Sequence, residues 1–255
     1  MAELINEWFY PFVWVWIGVA VVTFLVLLKV TAPYGRHTTG GWGPMISNRL
    51  GWIIMELPSL LTFGLFFLLG PNEKTSPMWL FFALWVAHYI NRSLVFPFRI
   101  KTQGKKMPFS IAASAIFFNL INGFTNGYFL GTYCTPYPEE YWLSANMIGG
   151  LVLFIVGACI NIYSDQLLLD LRKPGETGYK IPQGGLFRWV SSPNLFGEMI
   201  EWIGFAVMVG ALPAWGFAIW TIANLLPRAL EHHKFYLKRF PDYPKERKAV
   251  IPGLL

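Results

Sequence analysis

Charge is what this chain has least of. Only 13% of its residues are Asp, Glu, Lys or Arg, about half the share usual in a soluble domain. That scarcity excludes a globule bathed in water on all sides. Cysteine is nearly absent: Cys134 and Cys159 are the only two in 255 residues. They match no metal-ligand spacing and supply no disulfide scaffold, and Cys159, inside an apolar run, reads as a small core residue. Histidine is as sparse, with His37, His88, His232 and His233 the full set of 4. That is too few for a histidine-rich di-iron centre, and adjacent His232 and His233 point to different helix faces, so no metal site is expected. P-loop, G-x-G-x-x-G and G-x-S-x-G patterns are missing too. Rossmann-type nucleotide binding and serine hydrolysis therefore have no footing.

What is abundant is apolar. Hydrophobic residues make up 55% and aromatics 18% of the chain, and they fall in runs of about 20, the length that crosses a bilayer as a helix. Seven spans are expected, at roughly 12–30, 51–70, 78–98, 109–131, 145–169, 198–211 and 213–235. The fold class is thus all-α, an integral membrane bundle forming one domain over 1–255. Met1 to Phe12 is acidic and aromatic, without the basic start of a cleaved signal, and reads as the flank of the first span. The net charge of +6 reflects Lys and Arg gathered in alternate loops, a topology signal and no sign of a nucleic-acid partner. Basic segments at 31–50, 99–108, 170–197 and after Arg228 face the cytoplasm, which puts the N-terminus outside and the C-terminus inside. Two of these basic segments flank residues 198–227, so the chain must cross twice between them, as a hairpin broken near Leu212-Pro213.

Polar groups inside such spans are costly and usually face a cavity, a partner or a substrate path. Here they are Glu56, His88, Tyr89, Asn91, Arg92, Asn161, Asp165, Glu198, Glu201, Asn224, Glu231, His232 and Tyr236, nearly all in the cytoplasmic half. Glu56 lies roughly 9 Å into its span and Tyr89 roughly 13 Å into its own, at 1.5 Å per residue, so the two can meet at one level. Asn161 and Asp165 share a helix face, as do Glu198 and Trp202, and Asn224, Arg228, His232 and Tyr236 form a stripe with a four-residue step. Single members of this set are ordinary interhelical bonds; together they indicate a polar cavity. Between spans five and six, the Gly- and Pro-rich 172–187 loop lets backbone approach a ligand, and its Arg and Lys suit phosphate. A plain cytoplasmic loop would have the same composition.

An ordered set of short segments then carries a resemblance. They are Tyr34-Gly35-Arg36-His37, Glu56-Leu57-Pro58-Ser59, His88-Tyr89 with Arg92, Asn161-Ile162-Tyr163-Ser164-Asp165, and Leu171 through Phe187 to Gly197-Glu198 and Glu201-Trp202. The last is His232 to Leu237 with Asp242-Tyr243-Pro244 and Arg247-Lys248-Ala249. In order, spacing and length the chain resembles the steroid 5α-reductase family. The resemblance implies an enzyme that uses NADPH to reduce the Δ4 double bond of a 3-oxo-steroid, delivering hydride to the β-carbon of the enone. It assigns Glu56 and Tyr89 to the substrate carbonyl as the catalytic pair. It assigns Asn161, Asp165, Arg172, Tyr179, Asn194, Glu198, His232 and Tyr236 to the cofactor. Arg228, on the same stripe as His232 and Tyr236, is expected to join them, and Arg172, Lys173 and Arg36 are expected to meet the cofactor's phosphates. Trp52 and Trp202 are expected to line the substrate pocket. Two departures concern the steroid side: Met55 precedes the glutamate where animal members often have glutamine, and Ser114 stands near where some relatives have arginine.

The chemistry agrees with that carry-over. Hydride addition to an enone leaves an enolate oxygen that needs a hydrogen-bond donor, which a phenol can supply and a neighbouring carboxyl can orient. The substrate is expected from the bilayer among membrane lipids, the cofactor from the cytoplasm, and the protein as a monomer in a bacterial inner membrane or the endoplasmic reticulum. Rivals are a membrane enoyl-CoA or polyprenol reductase and an isoprenylcysteine-type S-adenosylmethionine methyltransferase, the last leaving Glu56 and Tyr89 without a role.

Overall fold

The computed structural model describes residues 2–101, 104–172, 176 and 178–255. They form α1 (Ala2–Leu27), α2 (Asn48–Leu69), α3 (Ser76–Ile90), the short α4 (Phe96–Arg99), α5 (Phe109–Tyr128), α6 (Ala145–Asp170), α7 (Pro193–Val209) and α8 (Leu212–Arg239). The one sheet among the described residues is a two-stranded antiparallel ribbon, β1 (Met45–Ser47) on β2 (Lys106–Pro108), with Ile46 opposite Met107. Prolines mark several starts: Pro77, Pro97, Pro193 and Pro213 occupy the first turns of α3, α4, α7 and α8, where the missing N–H costs nothing. The expected hairpin is there. Gly210, in the left-handed conformation at φ 63°, ends α7 and donates its N–H to Ala206 O, and α8 begins two residues later.

Two boundaries in the chain's first half differ from those expected. Helix α1 begins near residue 2 and runs through Pro11, well before the expected residue 12. The third apolar run is interrupted: α3 passes into a π-helical turn at Asn91–Val95 before α4. Among the described residues three helical stretches are long and apolar enough to cross a membrane, Ile5–Leu27, Asn48–Leu69 and Ala145–Asp170. α1 and α6 also leave Trp14, Val15, Val19, Val22, Ile148, Val152 and Ile155 exposed. A bare apolar flank of that kind fits hydrocarbon and not water. Cys159, expected in the core, is exposed on α6. A helix apolar all round has an outward side that periodicity cannot distinguish from its packed side.

The chain divides into two compact units, residues 1–14 with 32–144 and residues 15–31 with 145–255. The first is organised on α2 and α5, which run parallel. Gly123, Gly127 and Gly131 recur every four residues along one face of α5 and its π-helical end. A methyl group on Gly127 would come within 2.6 Å of the Phe63 carbonyl oxygen, so backbone meets backbone there. On the other side of α2, Phe63 stacks on Trp85 of α3 at 4.4 Å between ring centres. The start of α1 joins through Phe9, whose ring lies 4.7 Å from that of Tyr133, and through Asn6, which accepts the Tyr128 hydroxyl at 2.8 Å.

The second unit is organised on α6 and α7, which run antiparallel through a similar device. A methyl on Gly157 would sit 2.6 Å from Gly197 O, and one on Gly197 would sit 2.6 Å from Gly157 O. Helix α8 folds back on α7, with Phe217 against Trp202 at 4.4 Å, and Trp16 of α1 lies against Trp220 at 4.5 Å. The C-terminal tail returns to the segment before α7. Val190 and Lys248 form a parallel bridge, Ser191 N–H and Ser192 N–H donate to Lys248 O and Ala249 O, and Arg247 donates to Pro182 O at 3.0 Å and to Gln183 Oε1 at 2.9 Å.

Candidate active site

In the first unit the expected catalytic residues stand near a proline in one helix and a π-helical turn after the other. Glu56 lies two residues before Pro58 of α2. Proline contributes no N–H, which takes the regular helical donor from the Ile54 carbonyl four residues earlier. At the adjoining carbonyl a side chain adds a donor: Asn119 of α5, 3% exposed and one four-residue step before Gly123. Its amide nitrogen donates to Met55 O at 2.5 Å and lies 3.4 Å from Glu56 Oε2. Tyr89, 3% exposed, precedes the π-helical turn. Widening a helix by one residue upsets the regular carbonyl partners at the junction, and the buried Ser93 hydroxyl donates to Tyr89 O at 2.5 Å. The Tyr89 ring packs between those of Trp85 and His88, at 5.4 and 5.1 Å. Arg92, inside the wide turn, lays its guanidinium 4.9 Å from the Trp52 ring centre and 5.2 Å from that of Phe96. Trp52 is one turn before Glu56, so this stack ties the two elements that carry Glu56 and Tyr89. Arg36 belongs to this unit also, in a 3-10 turn at Gly35–His37.

In the second unit the close approach of α6 and α7 places four of the expected cofactor residues in one hydrogen-bonded row. Asn161 donates to Asn194 O at 2.9 Å and to Glu198 Oε2 at 3.3 Å. Asn194 in turn donates to Asp165 Oδ1 at 2.9 Å. Arg172 lies over the Tyr179 ring at 5.4 Å, and that ring meets Phe235 of α8 edge-on at 4.9 Å. His232 Nδ1 stands 3.4 Å from the Ser192 hydroxyl. Tyr236 stacks on Tyr243 of the tail at 5.2 Å and 5°. The Tyr243 hydroxyl, whose pKa burial pushes up, is 2.7 Å from that of Ser191, which is 2.6 Å from His233 Nδ1.

The remaining expected residues are placed as follows. Trp202, read as a pocket wall, is 1% exposed and is enclosed by Phe154, Phe205 and Phe217. Glu231 pairs with Lys234 at 2.7 Å on the surface, and Asn224 donates to Trp220 O in its own helix at 3.0 Å. Arg228 follows Pro227 on α8 and is half-buried. Lys173, with Pro174, Gly175 and Thr177 of the same loop, lies outside the described residues. Asn119 and Ser93 enter the site without having stood out in the sequence. The usable signal is a buried-type amide continuing the glycine face of α5, and a hydroxyl four residues after Tyr89.

The donor set of the second unit suits a dinucleotide. Side-chain amides and carboxylates in a row can bond ribose hydroxyls and a carboxamide, and Arg172 beside Tyr179 offers a cation and an aromatic face.

Residues 105–255 match the family model described as 3-oxo-5-alpha-steroid 4-dehydrogenase. The chain is 43% identical over 239 residues to the steroid 5-alpha-reductase DET2 of Gossypium hirsutum, covering 92% of each chain. It is 40% identical over 259 residues to the Arabidopsis thaliana protein of the same name, covering 99% of each. It is also 40% identical over 243 residues to 3-oxo-5-alpha-steroid 4-dehydrogenase 1 of Bos taurus, covering 93% of each. Similarity of this depth over nearly the whole length places the chain in the 3-oxo-5-alpha-steroid 4-dehydrogenase family of oxidoreductases acting on carbon–carbon bonds.

Proposed function

We propose that this protein reduces the Δ4 double bond of 3-oxo-steroids with NADPH, adding hydride at the β-carbon and, overall, a proton at the α-carbon. The observation that carries this reading is the agreement between relatives named for that activity and the presence of a carboxyl and a phenol, Glu56 beside Pro58 of α2 and Tyr89 just before the π-helical turn. NADPH supplies the hydride. The chain's own work is electrostatic and positional. Tyr89, packed between two rings, donates to the steroid 3-oxygen where negative charge develops, and Glu56 orients that donor and shares the load. Asn161, Asp165, Asn194 and Glu198 bind ribose and carboxamide groups. Arg172, Arg228 and Arg36 meet phosphates. Tyr179, His232 and Tyr236 bound the remainder of the cofactor.

The seven helices of 15 or more residues are read as seven spans of one reductase domain, with the N-terminus outside and the C-terminus and active site cytoplasmic. A monomer in the bacterial inner membrane or the endoplasmic reticulum would take its steroid from the bilayer. The test is direct. The detergent-purified protein receives NADPH and a 3-oxo-Δ4 steroid, and nicotinamide oxidation is followed together with loss of the enone absorbance. Stoichiometric loss of both supports the proposal. Nicotinamide oxidation with an enoyl-CoA or polyprenal and none with steroids, or retention of S-adenosylmethionine, overturns it.

A further inference from the structure

The α5 face that packs on α2 is built for closeness: Gly123, Gly127 and Gly131 occupy successive four-residue steps, and a methyl on any of the three would meet α2 backbone or side chain at 3.0 Å or less. The next step toward the helix start is Asn119, buried to 3% exposure. A buried amide is costly unless bonded, and a small apolar residue would continue the face, so the polar group at this level needs a reason.

Its hydrogen bonds give one. The Met55 carbonyl can only accept, so the group 2.5 Å from it is the NH2 end of the Asn119 side chain, which settles the orientation of the amide. The second hydrogen of that same nitrogen is then the one turned to Glu56 Oε2, at 3.4 Å. In a neutral carboxyl the carbonyl-type oxygen is the stronger acceptor, so this N–H favours Oε2 as that oxygen and the proton on Oε1.

We infer that Asn119 is a positioning residue for the reduction: anchored on the Met55 carbonyl, it holds the Glu56 carboxyl by Oε2 and so favours the proton on Oε1, the oxygen from which Glu56 can act as a donor. This rests on the reading of Glu56 as part of the carbonyl-polarising pair. Asn119 acts through Glu56 and need not touch the steroid.

The experiment uses the full chain in detergent with NADPH and a 3-oxo-Δ4 steroid, comparing Asn119→Ala, Asn119→Asp and Glu56→Gln with the wild type. Asn119→Asp has the same shape; in its neutral form it keeps one O–H for the Met55 carbonyl and turns an acceptor toward Glu56. Expected for both Asn119 variants is a fall in kcat of at least tenfold, with steroid KM and NADPH Kd within threefold of wild type. Isotope-edited infrared spectra of the bound steroid should show the 3-carbonyl stretch moving toward its value in apolar solvent. A folded variant with kcat within threefold of wild type and an unmoved stretch overturns the inference. So does failure of both variants to hold NADPH, which would make Asn119 a purely structural residue. A wild type inactive on every 3-oxo-Δ4 steroid defeats the underlying function instead. An active wild type with a dead Glu56→Gln leaves that function standing, so that the Asn119 variants then test the positioning role alone.

Discussion

The hydrogen-bonded row of Asn161, Asp165, Asn194 and Glu198, proposed above to hold the cofactor, exists because α6 and α7 touch backbone to backbone, so the most informative perturbation is a single methyl at that crossing. An alanine at Gly157 would place its Cβ 2.3 Å from Glu201 N, 2.6 Å from Gly197 O and 2.7 Å from Glu201 Cα. These neighbours are main-chain atoms, so no side-chain rotation relieves the overlap, and the helices must separate by about 1 Å to restore ordinary contact. Overpacking of this kind costs about 1–3 kcal/mol of stability. The larger consequence is local. Asn161 to Glu198 stands at 3.3 Å and Asn194 to Asp165 at 2.9 Å, so a separation of that size breaks both. Each such bond to a charged group contributes roughly 1.5–3 kcal/mol. If about half of one to two of them is expressed in cofactor binding, NADPH Kd rises on the order of 3- to 150-fold, at about 1.4 kcal/mol per tenfold.

Gly149 provides the control. It lies on the same helix, yet a methyl there meets nothing within 4 Å, so Gly149→Ala should leave both stability and affinity unchanged or slightly improved. Titration of each variant by nicotinamide fluorescence, with a thermal melt alongside, checks both numbers. A Gly157→Ala protein with Kd within twofold of wild type would refute the argument that helix proximity builds the cofactor row. Equal damage from Gly149→Ala would refute it as well, because the loss would then follow from any methyl on α6.

Other outcomes follow from the same geometry. Glu56→Gln and Tyr89→Phe should each lower kcat by about 10²- to 10³-fold, the usual cost of one lost donor at a developing oxyanion, with NADPH Kd within threefold; equal loss of cofactor affinity would count against the division of roles. Asp165→Ala should do the reverse, raising NADPH Kd about tenfold or more through the loss of its bond from Asn194 before kcat at saturating cofactor changes. Glu139 accepts the Ser76 hydroxyl at 2.5 Å and the Ser76 N–H at 3.2 Å at the start of α3, which holds its carboxyl below the ordinary carboxylate range. The folded-state value is the depressed one, so the stabilisation is complete above about pH 4.3 and fades as pH falls through the folded value. Melts of Glu139→Gln and wild type should therefore differ at neutral pH and converge on acidification, and a constant gap would be inconsistent with this contact.

How much of this was visible in the residues depends on range. Among the described residues the apolar runs fall on long helices, three of them long and apolar enough to cross a membrane, because a hydrocarbon-crossing helix needs a length and a composition that a segment displays by itself. Same-helix relations are equally legible: the four-residue spacing of Asn161 and Asp165 puts them on one face, and they share the row with Asn194 and Glu198. What stayed hidden were relations across helices and departures from regular helix. The π-helical turn at Asn91–Val95 leaves no compositional trace, since it is a change of hydrogen-bond register within an apolar run. Trp202 shares a face with Glu198, yet it lies among Phe154, Phe205 and Phe217. Spacing says which residues share a face and is silent on what that face meets. Asn119 is inconspicuous beside charged groups and histidines, because an amide among apolar neighbours reads as an ordinary interhelical bond until its partner is known.

Two side-chain bonds of the first unit have a common logic. A regular apolar helix spends its backbone groups on itself and offers a neighbour only side chains. A further side-chain donor on one of its carbonyls therefore clamps the backbone at that level. Near Pro58 that donor is Asn119, on Met55 O; at the Asn91–Val95 turn it is Ser93, on Tyr89 O. Both donors sit beside a residue assigned to chemistry, Glu56 in one case and Tyr89 in the other, and both hold the peptide that adjoins it. Ser93 makes the point separable, for its bond reaches the Tyr89 backbone and not the phenol. Ser93→Ala should lower kcat with little change in NADPH Kd, by a smaller factor than Tyr89→Phe, because a freed carbonyl loosens the ring without removing its hydroxyl. If Ser93→Ala lost as much turnover as Tyr89→Phe, the hydroxyl of Ser93 would have to be a direct contributor to the reaction, and the scaffold role argued for it would be wrong.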